Sequence, residues 1–213
     1  MKDRIDEIVS AIPVSDVFAD VGCDHGYVSK EMLRRRKCRF AVASDISGKC
    51  LEKARKLLSR EIEQNRAACI VSDGLKEIPS ADTVLIAGMG GEEIVSILKG
   101  AEKLPENLVL QPMKNCDKTR RFALSAGYRT VKDYVFYSDG KYYNLIVLKK
   151  GEDSLSEEEI EFGRTNLENP SEDFKKMLIE KAEKLTAYAE RSPEGKKKEL
   201  LKKAERLYKY AER

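Results

Sequence analysis

The sequence has few of the residues on which metal and disulfide sites depend. Its 213 residues include one histidine and five cysteines, and no two of the cysteines form a C-x-x-C pair. A single histidine excludes every mechanism or metal site that needs two. The odd number and scattered positions of the cysteines argue against a disulfide framework or a zinc site. We therefore expect no bound metal, and reduced thiols of the kind found in cytoplasmic proteins.

Long apolar runs are also missing. No stretch approaches the roughly 18 consecutive apolar residues that a membrane-spanning helix needs. Charged residues make up 36 % of the chain, which is far more than a membrane protein carries. The first seven residues mix both charge signs and lead into no apolar segment, so we expect neither a secretory signal nor a membrane partner.

The charges of the two signs nearly balance. The chain has 40 Lys and Arg residues against 37 Asp and Glu residues, for a formal net charge of +3. Residues 151–213 contain 14 basic and 16 acidic residues, so the positive excess lies in residues 1–150. Such an excess is compatible with a nucleic-acid partner and equally with an ordinary solvated surface. No protein partner is evident.

Residues 1–150 alternate between short apolar runs and amphipathic segments. This alternation predicts a parallel sheet covered by helices on both faces, because nearly every residue of the runs is apolar. Asp139-Gly140 separates two further strand-like runs, which predicts a terminal antiparallel hairpin. The predicted strands are 17–21, 40–45, 68–71, 83–87, 108–110, 129–137 and 142–148, and the predicted helices are 27–36, 49–64, 92–99 and 117–126.

The pattern changes at residue 151, beyond which only helical signals occur. One helix is predicted over 155–166, and a second runs from the N-cap Ser171 to residue 190. A third follows the breaker at 192–195, so the last two predict an antiparallel helical hairpin or coiled coil. We expect an α/β domain at 1–150 and a helical arm at 151–213. The arm either grips a large substrate or stabilises the fold or a dimer.

The turn after the first predicted strand carries the strongest chemical signal. Asp20-Val21-Gly22-Cys23-Asp24-His25-Gly26 places glycines where the backbone must approach a ligand closely. The spacing is G-x-x-x-G and not the G-x-G-x-x-G of dinucleotide binding, which argues against a nicotinamide oxidoreductase. An acidic residue just before the turn suits a ligand with a positive group, such as an amino-acid ammonium.

Polar residues and glycines also follow each of the next four predicted strands. Asp45 ends the second strand, where a carboxylate can accept hydrogen bonds from ribose hydroxyls, and Asp73-Gly74 ends the third, where one can accept from an adenine amino group. The glycine-rich segment 87–91 follows the fourth strand, and Gln111-Pro112 ends the fifth. Because parallel strands bring their carboxyl ends to one edge of the sheet, we expect one shared site there.

These residues resemble a known family. Residues 1–150 look like a class I S-adenosylmethionine-dependent methyltransferase with a Rossmann-like sheet. More narrowly they are similar to the bacterial TrmK family, which methylates N1 of adenine 22 in the D arm of tRNA. The resemblance rests on the segments 19–27, 73–75, 86–91 and 110–112, and extends to Gly127-Tyr128 and Tyr142-Tyr143. Cys23, Gly26 and Met113 depart from the family's usual Ser, Ala and Asn.

The resemblance implies a cofactor, a partner and a set of site residues. The cofactor is S-adenosylmethionine, the partner is tRNA, and Asp24 is the expected catalytic residue, accepting from the adenine N6 amino group. The expected cofactor-binding residues are Asp20, Gly22, Cys23, His25, Asp45, Ile46, Asp73, Gly74, Ala87, Gly88, Met89 and Gly90. The expected substrate-binding residues are Gly91, Gln111, Pro112, Lys114, Arg120 and Arg121.

Two other functions stay open at this point. One is a methyltransferase of the same fold that acts on another RNA base or on a protein. The other is a non-catalytic RNA-binding module, which need not bind S-adenosylmethionine.

Overall fold

Apolar runs along the first 150 residues assemble into one seven-stranded sheet. The computed structural model describes residues 3–212, and its elements follow in chain order. The strands are β1 (Ser15–Val21), β2 (Cys38–Asp45), β3 (Ala67–Val71), β4 (Thr83–Met89), β5 (Asn107–Pro112), β6 (Tyr128–Ser138) and β7 (Lys141–Lys150). The helices are α1 (Arg4–Ala11), α2 (Tyr27–Arg34), α3 (Gly48–Leu57), α4 (Ser59–Glu63), α5 (Gly91–Lys99), α6 (Cys116–Ser125), α7 (Glu157–Phe162), α8 (Arg164–Glu168), α9 (Glu172–Glu190) and α10 (Glu194–Ala211).

The strand order places a crevice in the middle of the sheet. The order is β3-β2-β1-β4-β5-β7-β6, with the first five strands parallel and β7 antiparallel to both neighbours. β1 pairs in parallel with β2 on one side and with β4 on the other. Successive strands are therefore added on one side of β1 up to β3 and on its other side from β4 onward, so the strand order reverses between β1 and β4. Ligands of open α/β sheets bind beyond the carboxyl ends of the strands at such a switch point.

Helices bury both faces of the sheet. Phe18 and Leu85 lie in the cluster under α1 and α2, and Ile86 and Leu110 lie in the cluster under α5 and α6. These strands are apolar on both sides because both faces are covered, which is the reason that their sequence does not alternate. No helix among residues 3–212 is long and apolar enough to cross a membrane.

Side chains from the C-terminal region cover the open edge of the sheet at β6. A strand at an edge leaves every second backbone N–H without a strand partner. Four such N–H groups on β6 each donate to a side chain from the segment 153–173. The pairs are Thr130 to Asp153 (2.8 Å), Asp133 to Thr165 (2.9 Å), Val135 to Asn166 (3.0 Å) and Tyr137 to Asp173 (2.9 Å).

The arm itself is a helical hairpin on a short helical base. Ser171 accepts from the Phe174 backbone N–H, as predicted for an N-cap, and α9 and α10 then pack against each other. Phe162, Phe174 and Tyr210 form an aromatic cluster where this hairpin meets α7.

Three elements differ from the sequence predictions. The helix predicted over 49–64 is two helices, because Leu58 leaves helical geometry (φ −98°, ψ 8°) to bury its side chain. The helix predicted over 155–166 is interrupted at Gly163, whose φ of +89° ends α7. A Cβ at Gly163 would also lie 2.7 Å from the Asp133 carboxylate, so only glycine fits there. Helix α1 was not predicted.

Candidate active site

The turn after β1 brings backbone and side chains together at the switch point. Gly22 has a φ of +71°, and its N–H donates to the carbonyl of Ser44 at the end of β2. A Cβ on Gly22 would overlap the methyl group of Met89 at the end of β4. The turn therefore needs glycine for its conformation, and the absence of a side chain there leaves room for the Met89 methyl group.

A cavity of about 610 Å³ opens beyond the carboxyl ends of β1 to β4. This size lies in the range of small-molecule and cofactor sites. The predicted catalytic residue Asp24 lines this switch-point cavity. So do all the predicted cofactor-binding residues except Gly90, namely Asp20, Gly22, Cys23, His25, Asp45, Ile46, Asp73, Gly74, Ala87, Gly88 and Met89. The cavity also contains residues that the sequence did not indicate: Arg4, Ser72 and Glu93.

Asp20 is the buried carboxylate of this cavity. Only 4 % of the residue is exposed, and its Oδ2 accepts a hydrogen bond of 3.1 Å from the hydroxyl of Ser29 on α2. Burial raises the pKa of Asp20 to about 6, although the Ser29 hydrogen bonds oppose that rise. A cationic ligand group beside Asp20 would favour the charged form of this carboxyl.

Asp45 is held in place by two backbone donors. Its Oδ1 accepts from the Ser47 N–H at 2.8 Å, and its Oδ2 accepts from the Asp24 N–H at 3.3 Å. Each carboxylate oxygen can accept more than one hydrogen bond, so the group can still receive ribose hydroxyls. Asp73, at the end of β3, is exposed and forms an ion pair of 2.6 Å with Lys76.

Asp24, His25 and Lys53 form a hydrogen-bonded chain at the mouth of the cavity. His25 Nδ1 lies 2.8 Å from Asp24 Oδ2, and Lys53 Nζ lies 3.0 Å from His25 Nε2. An ammonium group can only donate, so Nε2 accepts and the ring hydrogen sits on Nδ1, where it donates to Asp24. Both ring nitrogens of His25 are therefore engaged within the protein, and the ring orients Asp24. Asp24 has a φ of +51° in this turn.

Arg4 is the functional residue that sequence reasoning missed most clearly. It belongs to the unpredicted helix α1, and among residues 3–212 it is the only lysine or arginine that lines the switch-point cavity. Its Nε and Nη2 donate to Gln111 Oε1 at 3.2 and 2.6 Å, and its guanidinium lies 5.1 Å from the centre of the Tyr143 ring. An isolated arginine near the first residue carries no sequence signal that would single it out.

The predicted substrate-binding residues do not form one surface. Gly91, Gln111 and Pro112 are buried in the free chain, and their contact with substrate stays a prediction. Gln111 holds Arg4. Lys114 is exposed beside Gly90. Arg121 is exposed and forms an ion pair with Glu157 on α7.

Arg120 occupies a different place from the one predicted. Its residue is 1 % exposed, and its guanidinium donates to both oxygens of Asp133 at 2.6 and 2.9 Å. Its Nη1 also donates to the carbonyls of Ile160 and Glu161 at the end of α7. The guanidinium cannot reach RNA from there, so the prediction that Arg120 binds substrate is corrected. It ties α6 to the sheet edge and to the arm.

The fold and the cavity together define a class of protein. The mostly parallel sheet, its terminal antiparallel hairpin and the ligand-sized cavity at the switch point are those of a Rossmann-like methyltransferase. A family model described as tRNA (adenine(22)-N(1))-methyltransferase, TrmK, matches residues 18–211. The chain belongs to this family, which confirms the resemblance that the sequence motifs indicated.

Named relatives share both sequence and fold with this chain. The tRNA (adenine(22)-N(1))-methyltransferase of Bacillus subtilis (strain 168) is 29 % identical over 157 residues, which cover 71 % of this chain and 66 % of that protein. The structure of M. capricolum TrmK in complex with S-adenosyl-homocysteine has a TM-score of 0.87 at 28 % identity and covers 100 % of this chain and 98 % of its own. The crystal structure of B. subtilis TrmK has a TM-score of 0.82 at 22 % identity, covering 100 % and 97 %.

Proposed function

We propose that this protein transfers a methyl group from S-adenosylmethionine to N1 of adenine 22 in the D arm of tRNA. The observation that carries the proposal is the switch-point cavity, which collects the predicted acidic residues in a chain of the TrmK family. The M. capricolum relative is solved with S-adenosyl-homocysteine, the product that S-adenosylmethionine leaves after methyl transfer.

The residues of the cavity fit this cofactor group by group. We assign the cofactor ammonium to the buried carboxylate of Asp20 and the ribose hydroxyls to Asp45. We assign the adenine amino group to the turn at Asp73. The amino-acid carboxylate falls to Arg4, because no other lysine or arginine of residues 3–212 lines the cavity. Gln111 positions the Arg4 guanidinium by a hydrogen bond, and Tyr143 does so by contact with its ring.

Methyl transfer to adenine N1 requires that N1 be aligned with the methyl group, and it does not require a strong base. When bound, the cofactor supplies an electrophilic methyl group on a sulfonium. Adenine N1 is neutral and has a free lone pair, so it forms the N–C bond while the C–S bond breaks and its electrons go to sulfur. The positive charge thus moves to the adenine ring, where the Asp24 carboxylate stabilises it and accepts from the N6 amino group.

The Cys23 thiol takes no part in the proposed methyl transfer. Burial raises the pKa of the Cys23 thiol, so this group stays protonated beside the cavity and is a poor nucleophile. A ring nitrogen needs no covalent intermediate with the enzyme. Cys23 therefore stays a predicted cofactor contact of the turn and is not a nucleophile.

The target base must leave its stack to reach the cavity, because N1 lies on the Watson–Crick edge. We assign residues 1–150 to cofactor binding and catalysis, and residues 151–213 to a helical arm that contributes to tRNA binding. Lys114 and Arg121 are the predicted phosphate contacts that remain exposed. The expected compartment is the cytoplasm, where the substrate tRNA is found.

The direct test is methyl transfer from labelled S-adenosylmethionine to unmodified tRNA, followed by nucleoside mass spectrometry. We expect 1-methyladenosine, and its loss when adenine 22 is replaced by guanine. Cofactor binding without incorporation into tRNA would overturn the assigned substrate and leave another RNA base or a protein as the target. Absence of cofactor binding would favour an RNA-binding module.

A further inference from the structure

A second cavity, of about 480 Å³, lies between the catalytic domain and the arm. One wall is the loop after β5 and the start of α6, and the other is formed by α7, α9 and α10. We call it the arm cavity. It is separate from the switch-point cavity, and it could not be predicted from the sequence because its two walls are far apart in the chain.

The floor of the arm cavity is apolar. It is formed by aromatic and aliphatic side chains where the arm meets the domain, among them Phe162, Phe174, Met177 and Leu207. Phe162 and Phe174 are in ring contact with each other, with centroids 6.3 Å apart. Phe162, Phe174 and Met177 are at most 7 % exposed, so the floor offers a small apolar surface for van der Waals contact with a base.

The rim of the arm cavity is mainly cationic. Four basic side chains line it, against the two acidic residues Asp117 and Glu161. The basic residues are Lys114, Lys181, Lys203 and Arg206.

Two of these cations are free to meet a ligand. Lys203 pairs with Glu199 and Arg206 pairs with Glu161, but Lys114 and Lys181 form no hydrogen bond or ion pair with any residue of 3–212. Both are exposed, so an anion can approach them from solvent. The cavity thus combines an apolar floor with two lysines that have no ion-pair partner among the described residues.

Lys114 lines the arm cavity and also lies close to the switch-point cavity. Its Cε would lie 3.1 Å from a Cβ on Gly90, the residue that follows Met89 of the switch-point cavity. The same lysine lines the arm cavity. Lys114 therefore lies on the rim of the arm cavity and close to one end of the segment that borders the switch-point cavity.

We propose that the arm cavity binds an unpaired nucleotide of the substrate tRNA that flanks the target adenine. Its base lies on the apolar floor, and its phosphate lies between Lys114 and Lys181. This inference rests on the proposed function, since it concerns how the same tRNA is held. Unstacked bases on apolar or aromatic surfaces, with lysines on the phosphates, are the usual means of holding single-stranded RNA.

The test compares two charge reversals on one helix. Lys181→Glu places a negative charge at the arm cavity, whereas Lys176→Glu makes the same change on α9 at an exposed lysine that lines neither cavity. We expect Lys181→Glu to raise the KM for unmodified tRNA about tenfold and to leave the KM for S-adenosylmethionine unchanged. Lys176→Glu is expected to change either constant less than about twofold.

Ultraviolet crosslinking of wild-type protein to unmodified tRNA, read by mass spectrometry, tests for the base itself. We expect a crosslinked nucleotide adjacent to adenine 22 on a peptide containing Phe162 or Met177, at a lower yield in Lys181→Glu only. Equal KM values for the two variants, or crosslinks confined to other surfaces, would overturn the arm-cavity proposal while methylation by the wild type continues. A wild type that neither binds nor methylates tRNA would overturn the proposed function together with this site.

Discussion

Asp24 is the residue on which the proposed methyl transfer depends most. Its φ of +51° is tolerated better by Asp, Asn and Gly than by Ala, so Asp24→Asn and Asp24→Gly are the substitutions that preserve the turn. We expect Asp24→Gly to lower kcat about a hundredfold because the developing positive charge on adenine loses its carboxylate. Asp24→Asn keeps an acceptor oxygen without the charge, so its kcat should lie between those of the wild type and Asp24→Gly. Single-turnover rates with unmodified tRNA give the measurement.

The control for Asp24 is cofactor binding in the same two variants. Calorimetric titration with S-adenosyl-homocysteine should give dissociation constants close to that of the wild type. Unchanged turnover in Asp24→Gly would remove Asp24 from the mechanism, and a parallel loss of cofactor binding would make it a cofactor ligand.

We expect the assigned role of Asp20 to make cofactor affinity depend on pH. The carboxyl must be ionised to bind the cofactor ammonium, and burial raises its pKa to about 6. Affinity should therefore be constant above that pH and weaken by up to about tenfold per unit below it. Calorimetry between pH 5 and pH 8 checks this, with Asp20→Asn as the variant expected to bind weakly and without that dependence. A flat wild-type profile would contradict the assignment.

The same group acts on stability with the opposite sign. A carboxyl whose pKa is higher in the folded than in the unfolded state binds its proton more tightly when folded. Its contribution to the free energy of unfolding is therefore largest at acid pH and declines as pH rises from about 4 to about 6. The burial that prepares Asp20 for a cationic ligand thus lowers the free energy of unfolding of the ligand-free protein at neutral pH.

Single residues differed in how well the sequence revealed them. The positions of Asp20, Asp45 and Asp73 at the switch-point cavity could be predicted because each lies at or just beyond the end of a run that reads as a buried strand, and parallel strands converge at that end. Arg120 could not, because it sits among Lys118 and Arg121 in a segment that looks uniformly exposed. Only the long-range partner Asp133 shows why Arg120 turns inward.

At the level of elements, the cover over β6 leads to a stability prediction. Asn166 accepts from the buried Val135 N–H, whereas Asp173 accepts from the exposed Tyr137 N–H. Asn166→Ala should lower the free energy of unfolding by about 1–3 kcal/mol, because it leaves a buried donor without a partner. Asp173→Ala should cost less, since water can replace the carboxylate. Urea denaturation of both variants measures the difference, and equal costs would contradict this reasoning.

The elements were predicted well where the chain repeats a simple pattern. Five apolar runs and the hairpin at Asp139-Gly140 correspond to β1 to β5 and to β6 and β7. Helix boundaries were less accessible, because Leu58 and Gly163 interrupt helices in response to packing partners distant in sequence. The N-terminal helix is eight residues long and, unlike α2 of the same length, follows no strand that would mark it as part of the strand–helix alternation.

For the whole molecule, the two substrates should respond differently to salt. In the proposed function, the switch-point cavity binds a small ligand through enclosed groups. The tRNA is held through its phosphates, which release their counterions when lysines and arginines bind them. Raising salt from about 50 to about 200 mM should increase the KM for tRNA at least about tenfold and change the KM for S-adenosylmethionine little. Initial rates at each salt concentration, with the other substrate saturating, measure both constants. Parallel responses would mean that tRNA is held mainly by uncharged contacts.

The hydrogen bonds from the segment 153–173 to β6 also bear on self-association. A chain truncated before residue 153 would present an edge strand of 11 residues with four N–H donors left without their side-chain acceptors. Such an edge is a template on which a second molecule can add its own strand, leading to dimers by strand addition or to aggregates. By occupying these N–H groups, the C-terminal region prevents a strand of a second molecule from pairing with β6. Removing it would change the solubility of the protein before its affinity for RNA could be judged.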